Sequence, residues 1–136
     1  MRALLDLQIP RDLAQDSGLS DADYTVLVVL SEAPGDRVRM MELAERMLWS
    51  RSRVSHHLQR MEERGLVRRE EHADNVRAID AVLTEKGVAA AEVAAPKHVA
   101  SVRRHLVDLL TEDELRALGD MSERVIAHLW SVEPEG

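Results

Sequence analysis

The feature that most restricts the folds open to this chain is a pair of short apolar stripes with helical spacing, followed directly by a β-rich stretch. The first stripe predicts a helix over residues 39–47. After a brief turn, Val54, Leu58 and Met61 recur at i, i+4 and i+7, which predicts a second helix. Gly65 suits the left-handed residue that ends such a helix. The pattern therefore indicates a helix-turn-helix.

The stretch after Gly65 changes from helical to strand periodicity. Residues 66–71 and 76–83 are rich in β-branched and apolar residues, and the residues 73–75 between them favour a turn. A two-stranded hairpin is expected. Residues 39–84 thus predict a winged helix-turn-helix within a mainly α fold of the α+β class, in which the hairpin is the wing.

The N-terminal part of the chain reads as two further helices. Ser20 and Asp23 are spaced as a capping box, which predicts a helix over residues 21–31. Residues 3–15 have helical apolar spacing, but Pro10 lies among them. Because proline lacks a backbone N–H and clashes with the preceding turn, we expect this first helix to be broken or to start late.

The C-terminal part reads as helices as well, with Thr111 and Glu114 forming a second capping box. With 136 residues and no internal repeat, the chain has the length of one domain, residues 1–136. Within it we predict a winged-helix DNA-binding region, 19–84, and a helical dimerisation region, 1–18 and 85–131.

Positive charge is concentrated on the second predicted helix although the chain is acidic overall. The net charge is −7, yet residues 46–69 hold seven arginines against only Glu62 and Glu63. The segments on either side are acidic. A basic segment between acidic flanks points to a localised anionic partner rather than to coating of nucleic acid.

Composition excludes several other classes. The chain has no Cys, so disulfides and sulfur-ligated zinc are ruled out. The chain has only three aromatic residues, Tyr24, Trp49 and Trp130, which argues against a stacking platform for single strands, so any nucleic-acid partner is expected to be double-stranded. The longest apolar run, residues 26–30, is far too short to span a bilayer. We expect a cytoplasmic protein without cofactors.

The outer face of the second predicted helix carries side chains of the types that can read duplex DNA. Arginine can donate two hydrogen bonds to guanine, glutamine can pair with adenine, and serine hydroxyls with helix N-terminal amides suit phosphate oxygens. An arginine just past the hairpin turn can reach the minor groove. The predicted DNA-binding residues are Ser50, Arg51, Ser52, Arg53, Ser55, His56, Gln59, Arg60 and Arg77.

These residues resemble the MarR-type winged-helix transcriptional regulators. The resemblance rests on the ordered segments 43–46, 49–58, 61–67 and 83–87, which read LAER, WSRSRVSHHL, MEERGLV and LTEKG. It implies a homodimer, formed by the N- and C-terminal helices, that binds a pseudo-palindromic operator as a regulator, in most cases a repressor. It also implies possible release by a small aromatic or phenolic effector.

The chain departs from the family pattern at two positions. Asn75 stands where the family commonly has the aspartate that supports Arg77, with Asp74 one residue early. Leu48 occupies a turn position where glycine is common, so we expect a turn without positive φ or one that is strained.

Three other functions fit the sequence less well. Six histidines suggest a metal-responsive regulator, but His98 and His105 are seven residues apart, too far for joint ligation without another segment. An enzyme is not expected, because the chain contains no known catalytic motif. A winged-helix protein-interaction module is an alternative, which the cationic helix disfavours. Trp49 and the methionines at 40, 41 and 47 are interpreted as core residues.

Overall fold

The computed structural model describes residues 1–132 and contains six helices and a three-stranded sheet in that range. The helices are α1 (Arg2–Ser17), α2 (Asp21–Glu32), α3 (Met40–Met47), α4 (Arg51–Glu63), α5 (Glu85–His105) and α6 (Glu112–Ser131). The strands are β1 (Arg37–Arg39), β2 (Val67–His72) and β3 (Asn75–Leu83). The mainly α winged-helix architecture expected from the sequence is confirmed.

The hydrophobic core lies between α2, α3, α4 and the sheet. Val54, Leu58 and Met61 of α4 are almost fully buried, as their spacing predicted. The core helices turn one apolar face inward because residues at i, i+3 and i+4 share a side, and β3 buries its last four residues, Asp80 to Leu83. The core residues from the other elements include Leu13, Leu19, Val26, Leu27, Leu30, Leu43, Leu66, Val67, Ala81, Leu83 and Ala94.

The sheet has one strand more than the sequence indicated. β1 pairs antiparallel with β3, and β2 pairs with the other edge of β3, giving the order β1–β3–β2. The wing is the β2–β3 hairpin, which closes at Ala73 and Asp74. A three-residue strand is too short to show an alternating pattern, so only its partner defines it.

The expectation of a broken first helix is wrong, since α1 runs through Pro10 as one helix of 16 residues. A buried polar cluster ties this helix to α5. Asp12 accepts hydrogen bonds from Ser101 Oγ at 2.7 Å and from Gln8 Nε2 at 2.8 Å. Arg104 Nη2 and His105 Nε2 lie 3.1 and 2.9 Å from the same carboxylate. The cost of the proline is offset by this packing.

The Asp12 carboxylate is held in its charged form by these neighbours. The hydrogen bond from Ser101, followed by those from Gln8, His105 and Arg104, keeps the pKa of Asp12 well below its usual range although burial opposes the shift. Asp12 is therefore ionised at pH 7 and joins α1 to α5 through these hydrogen bonds.

Helix α6 differs from the others because no residue of it is buried. A capping box of Thr111 and Glu114 starts it, as predicted. Its large apolar side chains remain exposed within residues 1–132. They are Met121, Val125, Ile126, Leu129 and Trp130. A run of exposed apolar side chains on one helix is typical of a surface that meets a partner.

The first turn of α5 approaches the sheet so closely that only glycine fits at position 87. A Cβ atom there would overlap the backbone oxygen of Leu66 and lie 2.7 Å from Leu83 Cδ1. We predict that Gly87→Ala lowers the free energy of unfolding by about 1–3 kcal/mol, because overpacking outweighs the better helix propensity of alanine. Urea denaturation measures the change. Lys86→Ala, at the exposed neighbouring position, is the control and is expected to have little effect; equal losses for both variants would contradict the prediction.

Candidate nucleic-acid interface

The outward face of α4 presents most of the predicted DNA-binding side chains together. Helix α4 begins after Ser50, whose hydroxyl oxygen accepts a hydrogen bond from the Arg53 N–H at 3.2 Å. The Ser50 O–H remains free to donate to a phosphate, next to the positive end of the helix dipole. Seven predicted residues of this region are exposed and Ser55 is half-buried. The exposed ones are Ser50, Arg51, Ser52, Arg53, His56, Gln59 and Arg60.

The turn that leads into α4 is tight and carries a left-handed leucine. Leu48 has φ 56° and ψ 38°, and its N–H and that of Trp49 are bonded to the carbonyl oxygens of Glu45 and Ala44. A left-handed residue with a Cβ costs about 1–2 kcal/mol relative to its right-handed form. The turn therefore has positive φ, and it is strained because leucine stands where the family commonly has glycine.

Trp49 packs against the core, as interpreted from the sequence, but it also contacts the exposed side of α4. Its ring is half-buried, and the guanidinium carbon of Arg53 lies 3.8 Å from its centroid. On its other side the ring meets the His57 ring edge-on at 5.5 Å and 87°. This cation–π contact was missed in the sequence, where the i, i+4 spacing of Trp49 and Arg53 was the available signal.

A buried charged network fixes the rotation of α4 against α2. Asp23, of the α2 capping box, accepts a hydrogen bond from Arg64 Nη1 at 2.7 Å and lies 3.0 Å from His57 Nε2. Arg60 Nη2 lies 3.2 Å from His57 Nδ1. Since a guanidinium can only donate, His57 must accept at Nδ1 and carry its proton on Nε2, facing Asp23.

The protonation states of this pair follow from burial and from its partners. Burial lowers the pKa of His57 below its usual value, with Asp23 opposing the shift and Arg60 adding to it. Burial alone raises the pKa of Asp23, but hydrogen bonds from Arg64 and the Ser20 backbone outweigh it, so the pKa lies below its usual value. Asp23 is charged and His57 neutral at pH 7.

Two arginines of the basic segment have different surroundings at the start of the wing. Arg69 is bonded to Glu62 of α4, with Nε and Nη2 at 3.1 and 3.0 Å from Oε1 and its N–H at 2.8 Å from Oε2. Arg68 is more exposed and pairs with Glu70. The Arg69–Glu62 pair joins the hairpin to α4. Arg69 therefore stabilises the candidate interface and is not itself available to contact a partner.

Arg77 lies exposed on the wing, beside a cleft that opens toward the N-terminal end of α4. The Asn75 side-chain oxygen accepts a hydrogen bond from the Arg77 N–H at 3.0 Å, so the asparagine orders the local backbone instead of forming an ion pair. The cleft has a volume of about 280 Å³ and brings Arg39, Arg51 and Arg77 together over Met40 and Ile79. Arg39, placed there by β1, was missed in the sequence.

Two of the other histidines, His98 and His105, pack against neighbouring side chains. His98 packs on Tyr24 with ring centroids 4.8 Å apart, and His105 faces Asp12. Over residues 1–132, no cluster of three or more possible protein ligands is arranged to hold a metal ion. The helices in the same range are each too short or too polar to cross a bilayer.

The neutral state of His57 has a consequence for acid stability. The folded protein resists protonation of His57, whereas the unfolded chain takes up a proton near pH 6.5, so the stability is complete above that pH and falls as the pH drops below it. We predict that His57→Gln shows a smaller fall between pH 7 and pH 5.5 in urea denaturation. His56→Gln, at the exposed neighbour, is the control. An unchanged fall in His57→Gln would contradict the assignment.

Comparisons with known proteins agree with this arrangement. Residues 17–78 match the model of the MarR family. The chain is 44% identical to AbsC, a MarR family transcriptional regulator from Streptomyces coelicolor, with a TM-score of 0.89 over 96% of this chain and 88% of AbsC. It is 36% identical to Sco3205 from the same organism, solved in complex with DNA, with a TM-score of 0.90 over 99% of this chain and 85% of Sco3205.

A curated relative points the same way. The chain is 28% identical over 111 residues to the transcriptional repressor YetL of Bacillus subtilis, which covers 79% of this chain and 66% of YetL. Members of the family are DNA-binding regulators rather than enzymes. The identities of 44% and 36% extend over nearly the whole chain and most of each relative. The chain therefore belongs to the MarR family of winged-helix transcriptional regulators.

Proposed function

We propose that this MarR family regulator binds a pseudo-palindromic operator in double-stranded DNA as a homodimer. The observation that carries the proposal is the exposed polar face of α4, with Arg77 of the wing next to its N-terminal end. That arrangement suits a helix in the major groove and a wing in the adjoining minor groove. Sco3205, which is 36% identical to this chain, was solved in complex with DNA, and this supports DNA binding.

The exposed residues divide into two roles. Arg53, His56 and Gln59 extend from the face opposite the buried stripe and are proposed to contact base edges. Ser50 and Ser52 lie at the start of α4, where hydroxyls and free N–H groups suit phosphate oxygens. The other proposed DNA-binding residues, which add backbone or groove contacts, are Arg51, Ser55, Arg60 and Arg77.

The proposed dimer covers the apolar surface of α6. Within residues 1–132 the side chains of Val125 and Leu129 meet no core of their own chain and are more than half exposed. Burying two such surfaces against each other removes apolar area from water. Two α4 helices spaced one DNA turn apart, about 34–36 Å, then read the half-sites of a symmetric operator.

Regulation is proposed to act through this dimer geometry. Repression, consistent with the description of YetL as a repressor, results from occupying a promoter. A small aromatic or phenolic effector releases DNA if it prefers a dimer whose α4 helices are mismatched with the operator. A cavity of about 720 Å³ between the Leu48–Trp49 turn and Trp130 of α6 is the proposed place for it. The cytoplasmic location expected from the sequence stays a prediction.

Loss of single arginines tests the assignment of base and phosphate contacts. With an operator obtained by selection from random duplexes, Arg53→Ala is predicted to cost about 1–3 kcal/mol of specific binding and to relax preference at one base pair. Arg77→Ala is predicted to weaken operator and scrambled duplexes alike and to lower the salt slope by about one. Titrations of both duplexes over a salt series measure these effects.

The control for both variants is Arg116→Ala, since Arg116 is exposed on α6 and pairs with Asp113. It is expected to leave both affinities unchanged. Equal losses on operator and scrambled DNA for Arg53→Ala would refute its base-reading role. If selection enriches no duplex, and if the affinity for duplex DNA does not depend on salt, the protein-interaction alternative is favoured.

Charge placed on the α6 surface tests the dimer. Val125→Glu is predicted to yield a monomer in sedimentation, because a carboxylate buried in an apolar contact loses its hydration. Affinity for the symmetric duplex should fall at least about tenfold, since two linked half-sites become independent. Arg124→Glu, on the polar side of α6, should stay dimeric. A dimeric Val125→Glu variant would place the interface elsewhere.

A further inference from the structure

The side chain of Arg53 is positioned by an aromatic ring and not by a carboxylate. Its guanidinium lies 3.8 Å from the centroid of the Trp49 ring. Among residues 1–132, Arg64 and Arg69 of the same basic segment are paired with Asp23 and Glu62, whereas Arg53 has no acidic partner. A cation over an indole keeps its in-plane N–H donors available, which a carboxylate would occupy.

The Trp49 ring is held firmly enough to act as a platform. Its backbone N–H bonds to the Ala44 carbonyl at 3.0 Å, and its ring packs on the core. The ring also makes a T-shaped contact with His57, whose Nε2 lies 3.0 Å from the Asp23 carboxylate. The position of the Arg53 side chain therefore depends on the half-buried Trp49 ring, which in turn packs against His57 of the buried network.

We propose that Trp49 is a positioning residue for DNA reading, which holds the Arg53 guanidinium in the orientation that pairs with a base edge. This inference rests on the proposed base-reading role of Arg53. A flexible arginine must lose rotamer freedom to donate two aligned hydrogen bonds, and stacking on a fixed ring removes part of that freedom before DNA arrives. Trp49 thus contributes to specificity without touching DNA itself.

Two other roles for Trp49 predict different results. If the stacked position were only a resting state that DNA has to break, loss of the ring would release Arg53 and raise operator affinity. If Trp49 were only a core residue, its loss would lower the stability and weaken operator and scrambled duplexes by the same factor. Specificity at one base pair distinguishes these cases from positioning.

The experiment compares Trp49→Leu, Trp49→Phe, Arg53→Ala and the double variant Trp49→Leu/Arg53→Ala. Each is titrated with the selected operator, with the operator changed at the base pair that Arg53→Ala identifies, and with a scrambled duplex. Trp49→Leu is expected to reduce discrimination at that base pair about 2- to 5-fold, the range of an exposed cation–π contact, with no change on scrambled DNA. Trp49→Phe, which keeps a ring, should retain most of the discrimination.

In the Arg53→Ala background, Trp49→Leu is expected to cause no further loss of discrimination, because its effect passes through that arginine. Full discrimination in Trp49→Leu while Arg53→Ala abolishes it would overturn the inference, and so would tighter operator binding. Unchanged discrimination in Arg53→Ala would overturn the base-reading role first and this inference with it. Should Trp49→Leu not fold, Trp49→Phe is the test, because a phenyl ring attracts a cation less strongly than an indole. It is then expected to lower discrimination measurably with Arg53 present but not in the Arg53→Lys background, and full discrimination in Trp49→Phe would overturn the inference.

Discussion

The burial of one apolar stripe on α4 determines what the protein can present to a partner. Val54, Leu58 and Met61 are at most 1% exposed, so α4 has one rotation about its axis in which its core contacts are kept. A helix turned by one residue, about 100°, would expose part of this stripe and bury arginine. Polar ties act on the same helix, with Arg64 bonded to Asp23 and Glu62 to Arg69. The outward face follows from these inward contacts.

The arginines of the basic segment illustrate how one residue type serves two purposes. Arg64 and Arg69 are paired with carboxylates that are buried or half-buried, and each joins α4 to another element. Arg53 and Arg77 point outward, the first over an indole and the second on the wing. The number of arginines in a segment therefore overstates its charge available for DNA. Long side chains with acidic neighbours across the fold are structural parts of the scaffold.

The elements that the sequence predicts well are those whose signals are local. The stripe of α4, the glycine after it, the capping boxes of α2 and α6 and the hairpin all depend on residues within one or two turns of each other. Strand β1 depends on β3, and its Arg37 reaches Asp80, 43 residues away. Arg39 enters the candidate interface only through that pairing. Contacts between residues so far apart in the sequence cannot be predicted from local patterns.

Two residues show how tertiary contacts change the meaning of a local rule. Pro10 predicts an interrupted helix, yet the Asp12 cluster holds α1 along α5 and the helix continues. Trp49 reads as a core residue, and its packing agrees, but its second contact with Arg53 adds a role that composition does not show. The outer face of α4 was predictable, whereas the support beneath it required the positions of α2 and the turn.

The close approach at Gly87 joins the first turn of the long helix α5 directly to the sheet. The Leu66 carbonyl lies against the first turn of α5 and leaves no room for a side chain at position 87, so this end of the helix is packed directly on the sheet. A helix of 21 residues is about 30 Å long, so a tilt of about 5° at its far end displaces the sheet end by about 3 Å. That displacement is close to the separation of neighbouring base pairs. In the proposed dimer, a small change in the angle of α5 would therefore shift the winged helix by about one base pair along the duplex.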